Sequence, residues 1–277
     1  MSTGLHHLTT RSRAWLSTAT SPAAWLFAAA WILAAASLLL RGLLEDLLLA
    51  VLTAALVLLA IAFTLAVTPR PPSAPRRRDS RTLVQAVLLV AMVAFTFVRF
   101  GPSWLTRATG WGYLPGAAYL VVVFLLPLAV VVALGAPRRE IGLQRGYRAF
   151  AVAGVWLVIR AILLAPAVIA GQGPRLAGVF GLNLLAIAIP EEIVFRGLLQ
   201  TRLSLLLGSA WAVVLTALLF GLWHFGINVN AAGGDLLSAA ARSVLVQGMV
   251  GLGYSVAFAR TRSLISSSLA HAAFNTN

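Results

Sequence analysis

The chain predicts an all-α fold, a polytopic membrane helical bundle of eight or nine transmembrane helices, and three observations carry that prediction. Hydrophobic residues make up 60% of the sequence and charged residues only 10%, with a mean hydropathy of +0.93. That balance belongs to integral membrane proteins rather than to soluble domains. Apolar runs recur along the whole length, and all but the last approach or exceed the ~17 residues a helix needs to cross hydrocarbon. None of them alternates in polarity, as the strands of a barrel would.

The runs can be taken in order. Residues 23–40 follow Arg11 and Arg13 and are rich in alanine. Their long polar lead-in and the lack of a clear cleavage junction favour a retained helix over a signal peptide. Residues 47–67 form the second run. The segment 68–81 then holds four prolines and five arginines. No packed element tolerates that composition, so it reads as a solvated linker close to anionic lipid. Residues 83–98 and 117–134 flank a stretch, 101–116, whose Trp104, Trp111 and Tyr113 suit the outer interface. A second connector, 137–148, precedes the runs 149–170, 179–207, 210–225, 236–259 and 263–277. The last run is too short to span comfortably, so its helix ends in mid-membrane or continues past the sequence given. No internal repeat is visible. The expected division is residues 1–138 as N-terminal membrane helices and 139–277 as the core that carries the chemistry.

A formal charge of +14 and a pI near 11.9 suggest nucleic acid, but the distribution argues against it. All 21 basic residues are arginines, and most of them flank the apolar runs. Arginines in alternate short loops give the positive-inside pattern. It predicts that the N-terminus, the 70–81 and 138–148 loops, the turn after Arg202, and Arg260 with Arg262 are cytoplasmic. All-arginine usage without a sorting signal points to a bacterial plasma membrane. The absence of cysteine removes disulfides, thiol nucleophiles and thiolate metal ligands.

Only seven residues are acidic, and two of them, Glu191 and Glu192, sit side by side in an apolar run. An ionisable group in a bilayer costs at least ~2.5–3.5 kcal/mol on insertion scales and marks function by default. Residues four apart share a helix face, so Glu192 and Arg196 predict an intrahelical ion pair. Glu191 is rotated about 100° from that face and is left over for chemistry. Phe220 and His224, and likewise His271 and Asn275, are again four apart. Counted from the turn at Gly208, Glu191 and His224 both lie roughly 25 Å along their helices. Gly248, Gly251 and Gly253 read as small residues for close helix approach. Arg160 lies mid-span and needs a partner, whereas Arg242 is placed to snorkel to the outer interface.

A carboxylate, two imidazoles and a carboxamide in one buried chamber suit hydrolysis. A desolvated glutamate takes a proton from water, imidazole helps to hold that water, and histidine and asparagine donate to an oxyanion. No His-Glu-x-x-His zinc motif is present, the aspartates fall in loops or at span edges, and no Gly-x-Ser-Gly occurs. Paired glutamates and histidines also build proton or ion relays, so a coupled transporter is the alternative, followed by a non-catalytic scaffold or immunity protein.

Glu191-Glu192-x-x-x-Arg196, Phe220-x-x-x-His224 and His271-x-x-x-Asn275 together resemble the CPBP family, the CAAX proteases and bacteriocin-processing enzymes also called the Abi family. Ile141-Gly-Leu143 is similar to a common lead-in of that family, and the resemblance covers roughly 139–277. It implies an intramembrane endopeptidase in which Glu191 is the general base on water and His224 its partner. His271 and Asn275 would stabilise the oxyanion, and Glu192 and Arg196 would orient the first motif. The substrate would be a peptide or membrane protein in the lipid bilayer, with no nucleic acid. The family is called metalloprotease, and two histidines and a glutamate can bind zinc in principle. A metal-free glutamate mechanism fits the same residues equally.

Overall fold

The structure, a computed structural model, describes residues 21–68, 77, 79–99 and 120–276. The N-terminal arginines, most of the 68–81 linker and the aromatic 101–116 segment lie outside the described residues. Among the described residues every regular element is helical. Helix α1 is Pro22–Leu40, started by the Ser21 hydroxyl accepting from Ala24 N with Pro22 in the first turn. Helix α2 is Leu44–Val67, with Glu45 and Asp46 in the first turn where the helix dipole favours negative charge. Helix α3 is Ser80–Arg99, capped by Asp79 Oδ1, which accepts from Thr82 N at 2.8 Å. Helix α4 covers 120–133.

Ala149–Leu207 is one hydrogen-bonded helical stretch of 59 residues. Gly171, at φ 83°, interrupts it in the left-handed region that glycine tolerates. We call its arms α5 (149–170) and α6 (173–207). Helix α7, Ser209–Trp223, bends by 41° into α8, Phe225–Ala231. Helix α9 is Leu236–Thr261 and α10 is Leu264–Asn275. Among the described residues four helical stretches, with α5 and α6 taken as one, are long and apolar enough to cross a membrane, or five if α7 and α8 form one bent span.

The expected count of eight or nine spans is not confirmed among the described residues. Two of the predicted runs, 149–170 and 179–207, are two helices that meet at a kink at Gly171. Helix α3, Ser80–Arg99, has 20 residues, about the length of a crossing. The 12 residues of α10 reach only about 18 Å.

Large side chains such as Leu33, Leu40 and Ile169 are more than 70% exposed. Hydrocarbon is the solvent that suits such a surface on helices of this length. Inside the bundle, α9 is central and lies against α2, α7 and α10. Its glycines act in packing: a Cβ on Gly253 would come within 2.3 Å of the Trp156 ring, and one on Gly251 within 2.9 Å of the Phe220 ring.

Polar contacts gather at the two ends. At one end Arg148 Nη1 donates to Val67 O at 2.7 Å, Arg260 donates to Thr68, and Arg77 meets Glu140 at 3.1 Å. At the other, Arg41 pairs with Asp235, and Arg242 with Asp46 at 2.6 Å. Arg242 therefore pairs with a carboxylate of α2 instead of snorkelling to the interface alone. The loops expected on one side of the membrane, 138–148 and 260–262, do share one end of the bundle.

Candidate active site

The site begins on α6, where Pro190 removes one main-chain donor just before Glu191 and Glu192. Wider π-helical turns stand on both sides, Leu184–Ala188 and Ile193–Gln200. Such turns frequently occur at functional positions. Glu191 and Glu192 are 4% and 0% exposed. Glu192 Oε1 accepts from Arg196 Nη1 at 2.8 Å, the predicted four-residue pair, with both side chains fully buried. Arg196 Nη2 donates to Gly251 O at 3.0 Å, and the guanidinium lies 4.4 Å from the centroid of the Phe220 ring. A buried ion pair gains from every further partner its donors find, and the Gly251 carbonyl supplies one. The absent side chain of Gly251 lets α9 lie close against Phe220 and Ala217 of α7. Gly197, which follows Arg196, likewise permits a close approach, since a Cβ there would sit 2.4 Å from the Ile141 carbonyl oxygen. The Ile141-Gly-Leu143 lead-in is thus a loop laid against the motif helix.

His271 joins the two glutamates. Its Nδ1 is 3.0 Å from Glu192 Oε1, and its Nε2 is 3.8 Å from Glu191 Oε2. A carboxylate on Nδ1 fixes the ring plane and leaves Nε2 to face the other acid. The ring is also held by Tyr254, stacked at 4.9 Å and 17°, and by the edge of Phe220 at 5.5 Å. Helix α10 is secured at both ends. At its start Leu264 N donates to Gly142 O, and Ser263 Oγ donates to Gln144 O. At its finish Arg160 of α5 donates to the carbonyls of Ala273 and Thr276. Arg160 thereby has the partner its mid-span position required, the exposed carbonyls of a helix end.

His224 ends α7. Its Nδ1 lies 2.8 Å from Phe220 O. A carbonyl oxygen only accepts, so Nδ1 carries the proton and Nε2 presents a lone pair. The Phe220 ring is 4.7 Å from the His224 ring and also borders His271 and Arg196. One aromatic ring therefore separates the two imidazoles. Asn275 behaves differently: it is exposed, and its main-chain carbonyl accepts from Asn183 Nδ2 at 3.0 Å. The structure brings Glu191, Glu192, Arg196 and His271 into direct proximity, adds His224 across Phe220, and leaves Asn275 exposed one turn further along α10.

Tyr254 was not singled out from the sequence. The signal was present in Gly251-Leu-Gly-Tyr254-Ser, a phenol set among small residues on an otherwise apolar helix. For zinc, the residues offer Glu191 with Nε2 of each histidine. Among the described residues, no three His, Cys, Asp or Glu side chains stand in an arrangement that holds a metal ion. The donor set does not fit a zinc site, and no step below is routed through a metal.

Residues 173–277 match the family described as type II CAAX prenyl endopeptidase Rce1-like. No curated protein and no solved structure matches the chain. The match begins at the first residue of α6 and takes in all three motifs. With its long apolar helices and this family match, the chain is an integral membrane protein whose residues 173–277 are similar to the Rce1-like family of CAAX-type endopeptidases.

Proposed function

We propose that the protein is an intramembrane, glutamate-dependent endopeptidase that hydrolyses a peptide bond in or near the bilayer. The observation that carries this reading is the placement of His271, with Nδ1 on Glu192 and Nε2 facing Glu191 at 3.8 Å in a buried, aromatic-walled site. That separation is long for a direct hydrogen bond and short enough for one small oxygen ligand to touch both groups.

Glu191 takes a proton from water as the water oxygen attacks the scissile carbonyl carbon, and the carbonyl π electrons move to oxygen. His224 Nε2 accepts the second water hydrogen and aims the nucleophile. His271 Nε2 donates to the oxyanion, and Glu192 with Arg196 keeps His271 in register. Glu191 then returns its proton to the leaving nitrogen as the C–N bond breaks. The family's description supports a membrane-attached peptide tail as substrate. On the positive-inside pattern, the N-terminus is cytoplasmic.

The test is cleavage of a peptide library by the purified protein, beside Glu191→Gln and His224→Ala. The expected result is cleavage by the parent and loss of at least ~100-fold in each variant, with folding preserved. Parental rates in both folded variants would overturn the hydrolase assignment.

A further inference from the structure

Tyr254 is buried on α9 with 1% exposure. Its ring lies flat against His271, and the Arg196 guanidinium is 5.3 Å from its centroid. Its hydroxyl has no hydrogen-bond partner among the described residues. Its neighbour Trp156, 5.8 Å away between centroids, has its own polar group satisfied, with Nε1 donating to Thr64 Oγ1 at 3.2 Å. The charged groups that act most on the phenol are Glu192, Arg196 and Glu191.

A buried hydroxyl without a partner is costly, and phenylalanine would make the same stack without that cost. Packing alone therefore explains the ring and not the oxygen. Two neighbouring groups show the same pattern: Glu192 Oε2 and Arg196 Nε are buried and have no hydrogen-bond partner among the described residues. Other unpartnered buried polar atoms lie elsewhere in the bundle, but these two belong to the ion pair that seats His271. Tyr254 is also three residues from Gly251, on the same face of α9, and Gly251 is the carbonyl to which Arg196 is bonded. The main-chain contact that seats Arg196 thus seats the phenol as well.

We infer that the Tyr254 hydroxyl is a further donor of the reaction site, which hydrogen-bonds the substrate carbonyl oxygen as negative charge develops on it. This inference rests on the hydrolase reading. It adds a neutral O–H donor beside the imidazole and calls for no change in covalent chemistry. In a low-dielectric site such a donor is worth far more than in water, because it is already oriented when charge appears.

Tyr254→Phe keeps the ring and its stack on His271 and removes only the hydroxyl. The expected result is a kcat lowered roughly 100-fold, the order lost with a single oxyanion donor, at near-parental KM. The thermal midpoint in detergent should stay equal or rise, since a buried group without a partner has been deleted. A lowered midpoint would assign the hydroxyl to the fold and overturn the inference. So would a parental kcat in Tyr254→Phe while Glu191→Gln is inactive, and in that case the hydrolase reading survives. A folded parent that cuts nothing, or a Glu191→Gln variant that cuts like the parent, removes the hydrolase reading and the inference with it.

Discussion

Replacing Arg196 by methionine removes the cation from the site and leaves its shape nearly intact. Glu192 then stays fully buried, having lost a partner at 2.8 Å. The Gly251 carbonyl loses its donor, and the Phe220 ring loses a guanidinium 4.4 Å from its centroid. Breaking a buried pair on one side costs about 3–5 kcal/mol, because the remaining charge is uncompensated. The double variant Glu192→Gln/Arg196→Met separates that penalty from lost packing. A neutral carboxamide still accepts from His271 Nδ1 and needs no cation, so the double variant should regain at least half of the lost stability. Equilibrium unfolding in mild detergent, followed by helical circular dichroism, measures both. A single variant within ~0.5 kcal/mol of the parent would refute the reasoning, as would a double variant no more stable than the single one.

Gly197→Ala forces a methyl to within 2.4 Å of the Ile141 carbonyl oxygen, a backbone atom that cannot rotate away. It should cost about 1–3 kcal/mol. Gly178→Ala, where nothing lies within 4 Å, is the control; equal unfolding midpoints for the two would sink the packing argument. Asp235 caps the start of α9, and its carboxyl is held below the ordinary range chiefly by the Ser238 hydroxyl, with the Ser238 and Leu237 amides and Arg41 assisting. A depressed carboxylate stabilises the fold above its unfolded value, near pH 4, and that stabilisation is lost as pH falls through the lower folded value. The parent should therefore lose stability relative to Asp235→Asn on acidification over that window, and parallel acid curves would contradict the cap's role.

The grouping of polar residues at the candidate site was partly legible because helix spacing is a strict ruler. Glu192 and Arg196 are four apart and meet. The glycines of α9 were readable for a similar reason, since small residues in an apolar helix have few other uses. What escaped depended on tertiary placement. The stacking of Tyr254 on His271 joins α9 to α10, and no local pattern announces it. Asn275 shares a face with His271 in an ideal helix, but it falls on the last residue of α10 and ends exposed. The span count is not confirmed among the described residues, since apolarity alone does not show where a chain breaks: Ala149–Leu207 holds two helices that meet at the left-handed Gly171.

The grip of Arg160 on the end of α10 has a mechanical consequence. A helix end whose last carbonyls meet neither water nor side chains would ordinarily fray. Here a guanidinium on α5 takes the place of that water, while the opposite end is clamped by the Gly142–Gln144 loop. The wall that carries His271 is thus bolted at floor and ceiling, and a doorway for a bulky guest has to open in some other wall.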